Sequence, residues 1–180
     1  YKKMSKVVPF FRENATNGWM SNWYRSPFRM YGRDLPCQPV IDYPKKDAVL
    51  TFCNVEQFMM FCKAVCFKDF NTATKVLRTS TPNEVKALGR KVRNYDDTVW
   101  SQIRYNVVLC GIYYKINQNP QLKGMLLQFP VDTVFAEASP YDRIWGVGLP
   151  VNNNGVYNPN QWKGTNLLGR AWSEVRRSLG

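Results

Sequence analysis

From Cys53 to Phe67 the chain reads CNVEQFMMFCKAVCF, an apolar run in which Glu56 and Lys63 are the only charges. The pattern predicts a core helix, capped by Asn54 with Gln57 as reciprocal partner and starting at Val55 or Glu56. At about 3.6 residues per turn, the step from Glu56 to Lys63 is nearly two full turns. Both side chains therefore leave one face, with Met59 and Met60 between them.

Short strands and capped helices fill the rest. Residues 8–36 mix aromatics with Asn-Gly, Ser-Pro and Tyr-Gly, as short strands joined by turns do, and VLTFC continues as a strand. Thr81 and Glu84 frame Pro82 as a second capping box leading into EVKALGRKVR. Asp97 or Thr98 caps a longer helix, whose stripe Trp100, Ile103, Arg104, Val107, Val108 and Ile112 marks a buried face. Asn119-Pro120 opens a helix through QLKGMLLQF, and Val131–Ala138 reads as a strand behind Pro130. VNNNGVYNPNQ is an Asn-rich loop, and TNLLGRAWSEVRRSL closes as a helix capped by Thr165 or Asn166. The expectation is an α+β fold, a mainly helical single domain over residues 1–180 with a small sheet.

Composition narrows the class. With 44% hydrophobic, 14% aromatic and 21% charged residues the chain is globular. No apolar run reaches the roughly 18 residues of a membrane span, so no membrane partner is expected. The opening YKKMSKVVPFF breaks into charge too soon for a signal peptide, and Tyr1 points to a native start further upstream. Five cysteines, Cys37, Cys53, Cys62, Cys66 and Cys110, form no CxxC and read as buried free thiols of a reducing intracellular compartment, cytoplasm or nucleus. There is no His, which removes the commonest metal ligand and general base. Chemistry then falls to carboxylates, Lys, Tyr or Cys, with no metal and no cofactor expected. The formal charge of +12 attracts polyanions: nucleic acid, nucleotides or phosphorylated metabolites. Spread over YKKMSK, Arg25–Arg33, Lys86–Arg93 and Arg170–Arg177, it also fits a solvated basic surface.

Two stretches can carry chemistry. A Lys among Met, Phe and Cys is pushed toward its neutral, nucleophilic form, because low dielectric disfavours the ammonium. The Glu56 carboxylate opposes that shift but can move protons. The same residues also fit a core helix with Glu56 in its first turn and Lys63 extending to water. In EASPYDRIWGVGL, Glu137 ends a strand, and Asp142 and Trp145 follow in a turn built with Pro140 and Gly146. A carboxylate beside an indole can hold a sugar ring, and glycosidic cleavage needs carboxylates against oxocarbenium charge. A surface Asp142–Arg143 pair with a packing Trp fits equally.

The blocks FFR…SNWYRSPF, VEQFMMFCKA, GRKVRNYDDTVW, LKGMLLQF, EASPYDRIWGVGL and WKGTNLLGRAWSEVRR follow the order of the NADAR, or YbiA-like, superfamily, which the chain resembles from about Phe10 to Arg177. The resemblance implies a compact α+β protein acting on N-glycosidic bonds of ribose. Some members cleave riboflavin-pathway ribosylaminopyrimidine phosphates, and others remove ADP-ribose from guanine. Carried over by position, it implies that Glu56, Lys63 and Asp142 are catalytic. Trp100, Trp145 and Gly146 would bind substrate, with Arg12, Ser21 and Asn22 near a phosphorylated ribose. Gln57 stands where the family has His, and Met60-Phe61-Cys62 departs from its usual segment before Lys63.

These residues are expected to converge on one cleft. The reading that follows is an N-glycosidase acting on ADP-ribosylated guanine, in nucleic acid or nucleotides, as a monomer. Riboflavin intermediates are the alternative substrate. A non-catalytic ADP-ribose or nucleic-acid binding module is the alternative class.

Overall fold

The computed structural model describes residues 6–37 and 43–180. The chain divides into a central unit, Arg25–Asn119, and a terminal unit of Tyr1–Tyr24 with Pro120–Gly180.

The central unit is built on α1, Val55–Cys66, of which all but Lys63 and Cys66 are buried. Asn54 Oδ1 accepts from the Gln57 N–H at 2.9 Å, as a cap should. Gln57 Oε1 accepts from Cys53 N–H at 2.7 Å, one residue earlier than a capping box places it, and its amide nitrogen donates to Val76 and Thr79 carbonyls. That amide fastens the start of α1 to the end of α2, Phe70–Leu77. Helices α3, Pro82–Arg90, and α4, Asp97–Asn117, also pack on α1. They come close where side chains vanish: a Cβ on Gly89 would overlap Met60 Sδ, and one on Gly111 would lie 2.7 Å from the Phe58 ring. Strand β1, in the terminal unit, is Val7–Phe10, while β2, Phe28–Tyr31, and β3, Val49–Phe52, pair antiparallel in the central unit. Their inward Phe28 and Phe52 meet Phe58 with centroids 5.1–5.7 Å apart.

Two predicted caps are corrected. Pro82 occupies the first turn of α3, but Thr81 makes no side-chain cap bond. Helix α4 is capped by Asp96 rather than Asp97 or Thr98: its extended backbone lets Oδ1 accept from both Thr98 and Val99 N–H groups. The buried stripe runs from Trp100 through Val107, Val108, Gly111, Ile112, Lys115 and Ile116, leaving Ile103 and Arg104 half-buried.

In the terminal unit β1 pairs parallel with β4, Val134–Glu137. The predicted strand starts late because Val131 and Asp132 form a turn. Among the described residues the sheet is thus two separate two-stranded pairs, one in each unit. Helix α5 is Pro120–Leu127 and α6 is Leu167–Ser178, and α6 packs on β4. Asn166, at φ 52°, precedes α6 without capping it. Its side chain instead accepts from Glu137 N–H and donates to the Phe135 carbonyl, both at 2.9 Å. Trp172 of α6 donates from Nε1 to the Met20 carbonyl at 2.9 Å and meets Trp19 edge-on, which holds the first motif block. Among the described residues no helix is long and apolar enough to cross a membrane.

Candidate active site

Lys63 lies in the last turn of α1 but does not simply extend to water. Its Nζ donates to the Gly89 carbonyl at 2.8 Å and sits 4.5 Å from the centroid of the Tyr95 ring. Half-burial lowers its pKa, while the charges of Glu56 and then Asp97 pull it back upward. Desolvation wins that balance. Glu56, only 6% exposed in the first turn of α1, is the stronger of the two carboxylates acting on Lys63, as the shared helical face requires.

Gly89 and Tyr95 were not singled out by the sequence pattern. Nothing local in the sequence announces a carbonyl acceptor across two helices, and Tyr95 reaches the amine because Asn94 turns the chain at φ 62°. Its ring packs edge-on against Phe67, and its hydroxyl donates to Asp97 Oδ1 at 2.7 Å. A neutral amine here keeps an N–H for the Gly89 carbonyl and a lone pair for an electrophile. Trp100 is buried in the first turn of α4.

The other predicted site residues belong to the terminal unit. Arg12 is exposed, its guanidinium 5.3 Å from the Phe11 ring centroid. Ser21 Oγ accepts from the Trp23 N–H at 3.1 Å. Asn22 is buried, and its Oδ1 has no hydrogen-bond partner among the described residues, a condition it shares with atoms of Ser26, Arg104, Thr133 and Arg176. A cleft of about 370 Å³ lies beside this block, lined by Glu13, Asn14, Asn17, Trp19, Tyr24, Gln121, Leu122 and Met125 rather than by Arg12, Ser21 or Asn22.

Asp142 shapes the second block. Its Oδ1 accepts from Ile144 and Trp145 N–H groups at 2.9 and 2.8 Å, and its own N–H donates to Ser139 Oγ. Trp145 is half-buried, and the carbonyls of Arg143 to Gly146 accept from the N–H groups of residues 165–168. Gly146 closes the turn, since a Cβ there would meet the Asp142 carbonyl oxygen at 2.8 Å. All five cysteines are free, but only Cys62 is fully buried. Among the described residues no group of three or more Cys, Asp and Glu is placed to hold a metal ion.

A NADAR domain model matches residues 9–180. The chain belongs to the NADAR family. Among the proteins similar to the chain, the N-glycosidase R617 of Acanthamoeba polyphaga mimivirus is 36% identical over 135 residues, which span 75% of this chain and 79% of that protein. Protein irg-1 of Caenorhabditis elegans is 32% identical over 178 residues, 97% of this chain and 81% of the relative. The chloroplastic riboflavin biosynthesis protein PYRR of Arabidopsis thaliana is 29% identical over 113 residues, which span 61% of this chain and 17% of that protein. The NMR structure of the Escherichia coli protein YbiA superposes with a TM-score of 0.70 at 21% identity, covering 98% of this chain and 86% of YbiA. The shared fold is the mainly helical α+β NADAR fold, as the spaced motifs implied.

Proposed function

We propose that this NADAR protein is an N-glycosidase that hydrolyses the bond between ribose and a base, removing ADP-ribose from guanine in nucleic acid or nucleotides. The observation that carries the reading is the Lys63 amine, partly desolvated, held by Gly89 and Tyr95, with the buried Glu56 carboxylate acting on it. Neutral Lys63 attacks C1′; the C1′–N bond to the base and the C1′–O4′ bond of the ring both break, and the two amine protons pass one to the base and one to O4′, leaving the ring-opened ribose as an imine on Lys63. Water then hydrolyses the imine, freeing the ribose aldehyde and restoring the amine. Glu56 moves the protons in both halves. The mimivirus relative's name supports the bond cleaved, and the +12 charge favours a diphosphate or nucleic acid over a smaller ligand.

The similarity to PYRR keeps a riboflavin-pathway ribosylaminopyrimidine phosphate as a second substrate reading. Incubation with an ADP-ribosylated-guanine oligonucleotide and, separately, with ribosylaminopyrimidine phosphate, followed by mass spectrometry of the products, decides between them. Release of ADP-ribose from the first is expected. Turnover of only the second reverses the substrate order, and binding without turnover of either makes the protein a binding module.

A further inference from the structure

The Lys63 amine is flanked by a basic face that the glycosidase chemistry does not use. Between Lys68 and Arg93 the sequence holds seven Lys and Arg against Asp69 and Glu84. Asp69 is buried and engaged internally, accepting from Thr72 and Arg93 and lying 3.6 Å from the Arg93 guanidinium. The positive charge is outward and ordered. On α2 and its C-cap the exposed stripe is Asn71, Lys75 and Arg78, opposite buried Ala73 and Val76. On α3 it is Asn83, Lys86 and Arg90, opposite buried Val85 and Gly89. The two helices pack against each other, so both stripes of amide and cationic donors belong to one packed helix pair.

We propose that the outer face of α2 and α3 is a tract for the phosphate backbone of single-stranded nucleic acid, ending at the exposed ring of Tyr95. Arg forks and amides suit phosphate oxygens, and Tyr95, 42% exposed, offers a stacking face for a base. The Tyr95 ring lies 4.5 Å from the Lys63 amine, which in turn donates to the Gly89 carbonyl on the inner side of α3, so Tyr95 is the residue that the tract and the nucleophile would share. A lipid surface fits poorly, because none of the exposed large hydrophobic residues lies on α2 or α3. That the tract delivers substrate to Lys63 rests on the glycosidase reading; that it binds strands does not.

The test therefore uses an unmodified, fluorescently labelled single-stranded oligonucleotide and reads anisotropy at 50 and 200 mM salt. Wild-type affinity should fall with salt, with a log–log slope of about −0.7 for each phosphate contacted. The triple variant Lys75→Glu, Arg78→Glu, Lys86→Glu should bind at least about 30-fold more weakly and lose about two from that slope. Reversing Lys6, Lys163 and Arg177, exposed cations of the terminal unit, should change affinity by less than about threefold. Tyr95→Ala should cost roughly fivefold to a hundredfold through lost stacking. Thermal melting reports folding, and if the Glu triple does not fold, the Gln triple replaces it with a smaller loss in the same direction. Equal losses in both triples, wild-type affinity in the first, or equal competition by polyglutamate or anionic vesicles overturns the proposal. Because no turnover is required, a protein that binds strands but cleaves nothing overturns the glycosidase reading alone.

Discussion

Lys63 on α1 and Lys115 on α4 lie in the same unit, and burial lowers the pKa of both, but their surroundings differ. Lys115 is wholly buried on the stripe with Val108, Ile112 and Ile116, and burial alone takes its pKa down to about 7. Lys63 is half-buried, and Glu56 and Asp97 limit its fall. The more strongly perturbed lysine is thus the one shut in the core. Desolvation favours a neutral amine, but a nucleophile also needs an opening and a proton carrier, and on the proposed reading half-buried Lys63, on which the Glu56 charge acts, has both.

The largest effect that separates the two comes from Lys63→Arg. Arginine stays protonated, so turnover should fall to background, and borohydride added during turnover should no longer fix a ribosyl adduct on the protein. Lys115→Met should still be labelled. Labelling that survives Lys63→Arg, or that is lost in Lys115→Met, breaks the comparison and leaves direct attack by carboxylate-activated water as the better mechanism.

Glu56→Gln sharpens it. Loss of proton transfer should slow turnover by about 10²–10⁴-fold with substrate affinity largely kept. The pH profile adds a readout that a packing role would not move. On the proposed reading, activity should rise with pH as Lys63 deprotonates. The Glu56 charge holds that pKa up, so its removal should shift the rising limb to lower pH. A limb that stays in place removes Glu56 from the proton path.

How much of this was readable in the chain depends on the range of the interaction. The start of α1, its shared Glu56–Lys63 face and the Pro82 start of α3 are set within a turn or two, and the pattern gives them. The cap of α4, expected at Asp97 or Thr98, falls one or two residues earlier because Asp96, Asp97 and Thr98 all suit a cap, and only backbone geometry chooses among them. Asn166 was read as a cap from its type, whereas its amide bridges to β4, a partner no local window contains. The acceptor of Lys63 was invisible for the same reason, since Gly89 O arrives on another helix. Asp142 reads from the sequence equally as a sugar ligand or as a surface partner of Arg143, and the structure adds that its Oδ1 is held by two backbone N–H groups of its own turn.

A smaller effect is expected from Arg12→Ala in the terminal unit, which should raise KM by about tenfold, the size of a lost charge-assisted hydrogen bond, with little change in kcat. An unchanged KM removes Arg12 from phosphate binding. Asn22→Ala serves as its companion: if a ligand satisfies the buried Oδ1, this change should also raise KM, and an unchanged KM removes Asn22 from the site.

The smallest effect concerns stability rather than rate, and it tests Lys115 directly. Its folded pKa of about 7 lies below the ordinary 10.5, so between those values the unfolded chain holds a proton that the folded chain lacks. Stability should therefore rise with pH across that window, by at most about 1.4 kcal/mol per pH unit. Below about pH 7 both states are protonated and the cost of the buried ammonium is fully present. Relief of the overall +12 charge also raises stability as pH climbs, so the measurement is a difference between proteins. Lys115→Met keeps the length and removes the charge, so it should melt higher than wild type by a few degrees at pH 7, with the gap closing toward pH 10. Parallel melting curves across pH 7–10 would mean that Lys115 keeps its proton when folded. The contrast between a deep amine and an accessible one would then lose its first member.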